Sequence, residues 1–304
     1  MASTKPLAKK IWLNGKLVSW KNANVHVLTH ALHYGSAVFE GIRFYSTPKG
    51  PAIFRLDDHI NRLFSSASVL DMKVPFTKKQ IRKAVIDTVR VNKLTEGYIR
   101  PLIFYGAKAL GLDPRNIPVE VTIIAIPFPR LFAKKTIKVK TSSFIRLHPH
   151  STIASAKISG HYVNSILASM EAKKAGYDEA LMFDFKGNIA EGSGENFFLV
   201  KNNVIKTASL EDILPGITRA SLIKVAIKLG YEVDEAELDE HDIATCDEAF
   251  FSGTAAEITP ISKIDDVLIN EGKVGDVTLR LQEKFYDIVH GNDNQYEGWL
   301  TYVR

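Results

Sequence analysis

At 304 residues the chain has the length of about two domains at roughly 100–200 residues each, which excludes a small disulfide-stapled fold. Hydrophobic residues make up 45% and charged residues 24%, with 19 Gly and 12 Pro, a globular composition that excludes a disordered or collagen-like chain. Lys and Arg outnumber Asp and Glu by 39 to 34, and the net charge of +5 is spread in short clusters such as Lys9-Lys10 and Lys134-Lys135, so it reads as solvated surface and predicts no nucleic-acid partner. Cys246 stands alone, which excludes an internal disulfide or a multi-cysteine metal site and predicts a reducing, cytoplasmic setting. The opening MASTKPLAKKIWLNG has no apolar signal-like run, and the apolar stretch 121–128 is far shorter than the ~18 residues of a membrane span, so a soluble, unprocessed chain with no membrane partner is expected.

In chain order, Asp57 or Asp58 is placed to cap a helix in which Ile60, Leu63, Phe64, Ala67 and Leu70 recur at helical spacing up to Pro75. Thr77 and Gln80 form a capping-box pattern ahead of Ile81, Ala84, Val85, Thr88 and Val89. Two β-rich runs follow, 98–105 and 119–128, and the prolines at 127 and 129 mark a boundary. The expected division is a small N-terminal domain over 1–126, a linker over 127–135 and a large domain over 136–304. The large domain opens with a strand at 137–145. A helix at 161–174 then presents Val163, Ile166, Leu167 and Met170 on one side. Strands are expected at 179–183, 195–200, 204–207 and 247–251, and helices at 218–229 and 276–289. Short strands mixed with scattered helices, without a regular βαβ repeat, predict an α+β fold.

Several motifs carry no chemistry here. Gly192-Ser193-Gly194 lacks the third glycine and the following helix of a dinucleotide site, and no Walker A loop or nucleophile elbow is present. His148-Pro149-His150 has no acidic or Cys partner at ligand spacing, so no metal is expected. A more coherent set lies elsewhere. The turn Leu214-Pro215-Gly216 leads straight into a helix at Ile217-Thr218, whose free N–H groups suit a phosphate. A second Gly/Thr turn, Ser252-Gly253-Thr254-Ala255-Ala256, follows a buried-looking strand, and Lys157 sits among small residues, away from other cations, which suits either a solvated loop lysine or a Schiff-base lysine.

The runs HALHYGSAVFEGIR (30–43), YIRPLIF (98–104), AEGSGENFF (190–198), LPGITR (214–219) and FSGTAAEITP (251–260) resemble, in order and spacing, the motifs of branched-chain amino acid aminotransferases, pyridoxal 5′-phosphate (PLP) enzymes of fold type IV. The resemblance implies a two-domain fold, with a smaller N-terminal α/β domain and a larger β-rich C-terminal domain. It also implies a ping-pong transfer of the amino group of leucine, isoleucine or valine to 2-oxoglutarate. On this resemblance Lys157 carries PLP and later moves the substrate proton, Glu191 faces the pyridine nitrogen, and Tyr162 meets the phenolic oxygen. Arg55, Ile217, Thr218 and Thr254 hold the phosphate, and Leu214 packs on the ring face.

For substrate, the resemblance implies Phe39, Tyr34, Tyr98, Leu112 and Phe128 as pocket residues, Arg100 as the cation for the γ-carboxylate with Arg43 and Arg130 as alternatives, and Thr254 with the Ala255 N–H for the α-carboxylate. Tyr34 and Leu112 match positions that the family supplies from a neighbouring subunit, which implies at least a homodimer. The chain departs from the pattern at Ala109-Leu110-Gly111-Leu112, where Gly-Met-Gly-Val is usual in bacterial members. It departs again at Pro127-Phe128-Pro129, where Phe128 stands in for a Trp and the usual Tyr has no equivalent. Alternatives are a D-amino acid transaminase or aminodeoxychorismate lyase of the same fold, which share Lys157, Glu191 and Arg55, or a non-catalytic anion-binding protein.

Overall fold

The computed structural model describes residues 7–129, 131–132 and 134–304. The chain forms two compact units. The first comprises the described residues up to Pro129 together with Ala156–Gly160 and Asp287–Arg304. The second comprises the described residues of 131–155 and His161–Tyr286.

In the first unit an eight-stranded, wholly antiparallel sheet is formed among the described residues. Its spatial order is Leu300–Tyr302, Ala52–Phe54, Ile42–Tyr45, Gly97–Tyr105, Val119–Ile126, Lys10–Leu13 and Lys16–Ser19, with Ala37–Phe39 paired to the far half of Gly97–Tyr105. The helices Leu56–Val69 and Lys78–Asn92 pack on it, and Leu63, Ile81, Val85, Ile99, Ile103, Val121 and Ile123 share one fully buried cluster. The alternation of Val121, Ile123 and Ala125 toward that cluster is the period-two signature of a sheet with one covered face.

The second unit is built on a nine-stranded mixed sheet. The strands Ile189–Gly192, Glu179–Phe183, Ile137–Thr141, Glu257–Ile264, Glu248–Gly253 and Asn196–Lys201 follow one another, and the first pairs again with the last, so these six close into a ring. Ile137, Val139, Leu181, Phe197, Leu199, Phe251 and Ile261 fill one apolar cluster of this ring. Closure removes two exposed strand edges and places Ile189–Gly192 beside Asn196–Lys201.

Three expectations are corrected. The large domain is not the continuous stretch 136–304, because Ala156 and Ile158 bury their side chains in the core of the first unit and Leu300–Tyr302 supplies a strand to its sheet. Arg130 and Ala133 of the expected linker lie outside the described residues. The helix expected to be capped by Asp57 or Asp58 begins at Leu56, with Arg55 as N-cap in the left-handed region (φ 50°, ψ 38°). The two aspartates occupy the first turn, where carboxylates complement the positive helix end. Finally, the stripe Val163, Ile166, Leu167 and Met170 on the helix Tyr162–Lys174 is exposed, while Ala168 and Ala172 pack against Ala180 and Met182. Small side chains let this helix approach the sheet closely, which hydrophobic periodicity alone does not reveal.

The capping box forms as expected. Gln80 N–H donates to Thr77 Oγ1 at 3.3 Å and Thr77 N–H donates to Gln80 Oε1 at 2.8 Å. Thr77→Ala should destabilise the helix Lys78–Asn92 by about 1 kcal/mol, read as faster amide hydrogen exchange in that helix with catalysis unchanged.

Candidate active site

In the first unit Lys157 is held at its backbone from two sides. Its N–H donates to Ser66 Oγ at 2.9 Å, and its carbonyl accepts the Phe39 N–H at 3.1 Å. The Lys157 ammonium lies 5.0 Å from the Phe39 ring centroid, and the Arg100 guanidinium stands over the same ring at 4.7 Å. Tyr98 and Arg100 are two residues apart on one strand and therefore share a face. Arg100 donates to the Tyr98 hydroxyl at 3.4 Å, and the Tyr98 ring meets Phe128 at 4.8 Å. Gly41 makes room for this arrangement, because a Cβ there would sit 1.8 Å from the Tyr98 hydroxyl. Arg43 is buried beside the same group, over the rings of Tyr45 and Phe128 at 5.3 and 5.9 Å. Phe39, Tyr98, Arg100, Phe128 and Lys157 thus come together as apolar walls with two cations.

Arg55, at the start of the helix Leu56–Val69, stacks on Trp299 at 4.9 Å and donates to Asp58 at 2.5 Å. Tyr34 and Leu112 form a separate, exposed group: the Tyr34 hydroxyl accepts the Gly111 N–H at 3.3 Å, and Leu112 is 81% exposed. Arg130 lies outside the described residues.

In the second unit Glu191 is the hub. Its strand pairs it with Asn196, and Asn196 pairs in turn with Ser252, so the three residues run side by side across three strands on one face. The Glu191 carboxylate, 4% exposed, accepts from Arg146 Nε at 2.6 Å, from Asn196 Nδ2 at 3.0 Å and from the Leu214 N–H at 3.3 Å. Asn196 Nδ2 also donates to the Leu214 carbonyl at 3.0 Å. Glu191 and Asn196 therefore fix the turn that leads into the helix Ile217–Lys228. Gly216, its N-cap, supplies no side-chain cap, so the N–H groups of the first turn remain for a ligand. A Cβ at Gly216 would fall 1.9 Å from Asn196 Oδ1, so only glycine permits this approach. Ile217 and Thr218 are buried at the same helix start, and Leu214 is half-buried beside them. Thr254 and Ala255 lie in the turn between Glu248–Gly253 and Glu257–Ile264, which Thr259 pins by donating to the Ala256 carbonyl at 2.8 Å. Tyr162 is the first residue of the helix Tyr162–Lys174.

Sequence reasoning missed Arg146, which lies in the loop after Ile137–Thr141 without any flanking motif, and it missed Glu40, His59, Arg62 and Ser66 around Lys157. Asn196 was visible inside AEGSGENFF, but nothing in its type assigns it to Glu191. Among the described residues no group of three or more His, Cys, Asp or Glu side chains could hold a metal, and no helix is long and apolar enough to cross a membrane.

This donor set fits a phosphorylated pyridine. A paired carboxylate suits a protonated ring nitrogen and the open helix N-terminus suits the phosphate. The fully buried Ser252 hydroxyl and the Arg146 Nη1 have no protein hydrogen-bond partner beside them.

With this geometry in place, the comparisons define the class: residues 37–264 match the family model described as amino-transferase class IV, and the chain belongs to that family. Among its relatives, the branched-chain-amino-acid aminotransferase of Pseudomonas aeruginosa is 44% identical over 298 residues, covering 97% of each chain, and that of Escherichia coli K12 is 41% identical over 302 residues, covering 97% of this chain and 98% of the other. The solved branched-chain aminotransferase of the thermophilic archaeon Thermoproteus uzoniensis, with norvaline, superposes with a TM-score of 0.94 at 41% identity, covering 98% of this chain and 100% of that one. The fold is accordingly the α+β, two-unit PLP fold type IV.

Gly216→Ala tests the cradle. Relieving the overlap with Asn196 should cost at least about 1.4 kcal/mol, which corresponds to roughly tenfold weaker cofactor binding. Fluorescence titration of the apoenzyme with PLP reads the change, with far-UV circular dichroism unaltered.

Proposed function

We propose that this protein is a PLP-dependent transaminase that moves the amino group of L-leucine, L-isoleucine or L-valine to 2-oxoglutarate, giving branched-chain 2-oxo acids and L-glutamate. The observation that carries the reading is the joining of the buried Glu191 to the open helix start at Ile217-Thr218 through Asn196 and Leu214, which spaces an acid and an anion site within one rigid frame. Relatives that carry the branched-chain name match along nearly the whole chain, and related solved structures are described with pyridoxamine 5′-phosphate, with N-(5′-phosphopyridoxyl)-L-glutamate and with 4-methylvaleric acid, an aliphatic carboxylate.

PLP supplies a carbonyl that accepts an amine and a ring that takes up the electron pair released at the substrate α-carbon. The chain's residues do the rest. Lys157 would hold the cofactor through its amine and would serve as the base that takes and returns the substrate α-carbon proton. Glu191, kept in place by Arg146 and Asn196, would hold the proton on the ring nitrogen. Tyr162 would donate to the cofactor's phenolic oxygen, Arg55 with Ile217, Thr218 and Thr254 would hold its phosphate, and Leu214 would pack on its ring. Phe39, Tyr98 and Phe128 form the apolar wall for the branched side chain. Arg100 meets the γ-carboxylate of 2-oxoglutarate, and Thr254 with the Ala255 N–H meets the α-carboxylate.

Tyr34 and Leu112 reach the pocket of a second copy in this reading, so the working form is at least a homodimer. The exposed Tyr34, Leu32 and Leu112 support it, as does an apolar groove lined by Ile11, Leu13, Val25, Leu102 and Ile124. The lone, half-buried cysteine fits a cytoplasmic location; burial is the first cause that pushes the Cys246 thiol up, to about 11.

Borohydride reduction of the holoenzyme should fix the cofactor on the Lys157 peptide, and Lys157→Ala should abolish transamination while leaving the oligomer intact; label on another lysine refutes the assignment. Glu191→Gln should still bind PLP yet lose about 10²-fold in turnover, the scale of a lost preorganised electrostatic partner. Arg100→Leu should separate the two half-reactions. The 2-oxoglutarate half should lose about 2 kcal/mol, the lower end for truncating a charged partner because Arg100 remains exposed, and the leucine half should change little. Single-turnover mixing of the PLP form with leucine and of the aminated form with 2-oxoglutarate reads the two separately; equal losses assign Arg100 a structural role.

A further inference from the structure

Behind Lys157, in the first unit, the buried side chains of Glu40 and His59 meet the partly buried Arg62. Glu40 is wholly buried. It accepts from His59 Nδ1 at 2.7 Å, and from Arg62 Nε at 2.6 Å and Arg62 Nη2 at 2.9 Å, so the guanidinium grips it with a fork. His59 is 1% exposed. A buried ionic cluster stabilises a fold no better than apolar packing would, and the best-attested reason to keep one is that it specifies a geometry.

The geometry specified here is that of Lys157. His59, Arg62 and Ser66 fall at positions i, i+3 and i+7 of the helix Leu56–Val69, which is one face. Ser66 accepts the Lys157 N–H, and Phe39, the residue next to Glu40, donates to the Lys157 carbonyl. The Glu40 N–H is itself fixed to the Pro101 carbonyl at 3.0 Å. Gripping Glu40 from His59 and Arg62 therefore locks the helix and the Phe39-Glu40 segment together, and these are the two elements that hold the Lys157 backbone. The same helix begins at Arg55.

We propose that Glu40, His59 and Arg62 are positioning residues for Lys157, a buried clamp that sets the lysine amine against Phe39 and holds it at a fixed separation from Arg55. The inference rests on Lys157 being the cofactor lysine. Charge supports the geometry. Burial pushes the Glu40 carboxyl up, but the attraction and hydrogen bonds of Arg62 and His59 outweigh it and hold the group far below the usual carboxylate range. Burial pushes His59 below its ordinary value; Glu40 opposes this, and the positive charges of Arg62 and Lys157 add to it. Glu40 and Arg62 thus carry opposite charges, and burial disfavours the charged form of the imidazole beside them. Removing the Glu40 charge takes a negative charge from this cluster and so disfavours a positive charge on the Lys157 nitrogen.

The test uses Glu40→Gln, His59→Leu and His59→Asn holoenzymes, each measured for turnover per bound cofactor, for the pH midpoint of the visible cofactor band and for thermal midpoint. Glu40→Gln should lower the pH midpoint by about one unit and turnover per bound cofactor by about tenfold or more. His59→Leu should lower that turnover similarly, and His59→Asn, whose amide N–H can replace Nδ1–H toward Glu40, should restore most of it. Wild-type turnover per bound cofactor and a wild-type pH midpoint in both Glu40→Gln and His59→Leu overturn the proposal, whatever their thermal midpoints. If Glu40→Gln does not fold, the His59→Leu and His59→Asn pair decides: equal turnover in the two overturns it, and rescue by Asn supports it. Borohydride labelling of the wild type on a lysine other than Lys157 defeats the underlying assignment instead, so the two failures are distinguishable.

Discussion

Burying the Glu191 carboxylate costs several kcal/mol unless donors meet it, and the second unit is arranged so that they do. Arg146 Nε, Asn196 Nδ2 and the Leu214 N–H all converge on it, from a loop, a neighbouring strand and a turn respectively. Satisfying one charge thereby fixes three pieces of backbone. The turn so fixed must approach Asn196 too closely for any side chain at Gly216, and it delivers the start of the helix Ile217–Lys228 with no side-chain cap on its N–H groups. Ring closure of the strands makes this possible, because it sets Glu191 directly opposite Asn196.

The first unit obeys the same constraint at Glu40, with a different consequence. There the donors come from one helix face, so satisfying the charge aligns a helix with a strand rather than a loop with a turn. In both units the acid is placed by tertiary structure, and a nearby glycine, Gly41 or Gly216, leaves room for a side chain, Tyr98 or Asn196, that a Cβ at that position would strike.

This division explains what the sequence made legible. Period-two and capping signals are local, so the strand 98–105, the strand expected over 119–128 and found at Val119–Ile126, the helix 276–289 and the Thr77–Gln80 box could be read directly. Most of the site was legible through motifs whose order resembles a known family, and Phe39, Tyr98, Arg100, Phe128 and Lys157 do come together in the first unit, as Glu191, Leu214, Ile217 and Thr218 do in the second. Arg146 and His59 were not legible, because a buried cation or imidazole is defined by the carboxylate it meets, 45 and 19 residues away in sequence. The exposed stripe of the helix Tyr162–Lys174 misled for the opposite reason: its periodicity is real, but the face that packs is the one made of Ser165, Ala168 and Ala172.

In the proposed reading the pocket must serve an aliphatic side chain and a carboxylate in turn, and the geometry around Phe39 gives a physical route. With an aliphatic donor, the Arg100 guanidinium needs no anion, since the Phe39 ring at 4.7 Å and the Tyr98 ring at 5.4 Å already receive it. Such cation–π contacts are worth about 0.5–1 kcal/mol at an exposed site, whereas hydrogen bonds to charged groups contribute about 1.5–3 kcal/mol. The ring is therefore a resting place from which a carboxylate can draw the cation without a large penalty, and Arg100 can leave it because it is exposed and held to Tyr98 by a 3.4 Å contact. A cation forked onto a buried carboxylate, as Arg62 is on Glu40, could not be exchanged in this way. The same residue type thus serves two ends in one unit: fixed by a carboxylate it positions, and parked on an aromatic face it is free to recognise.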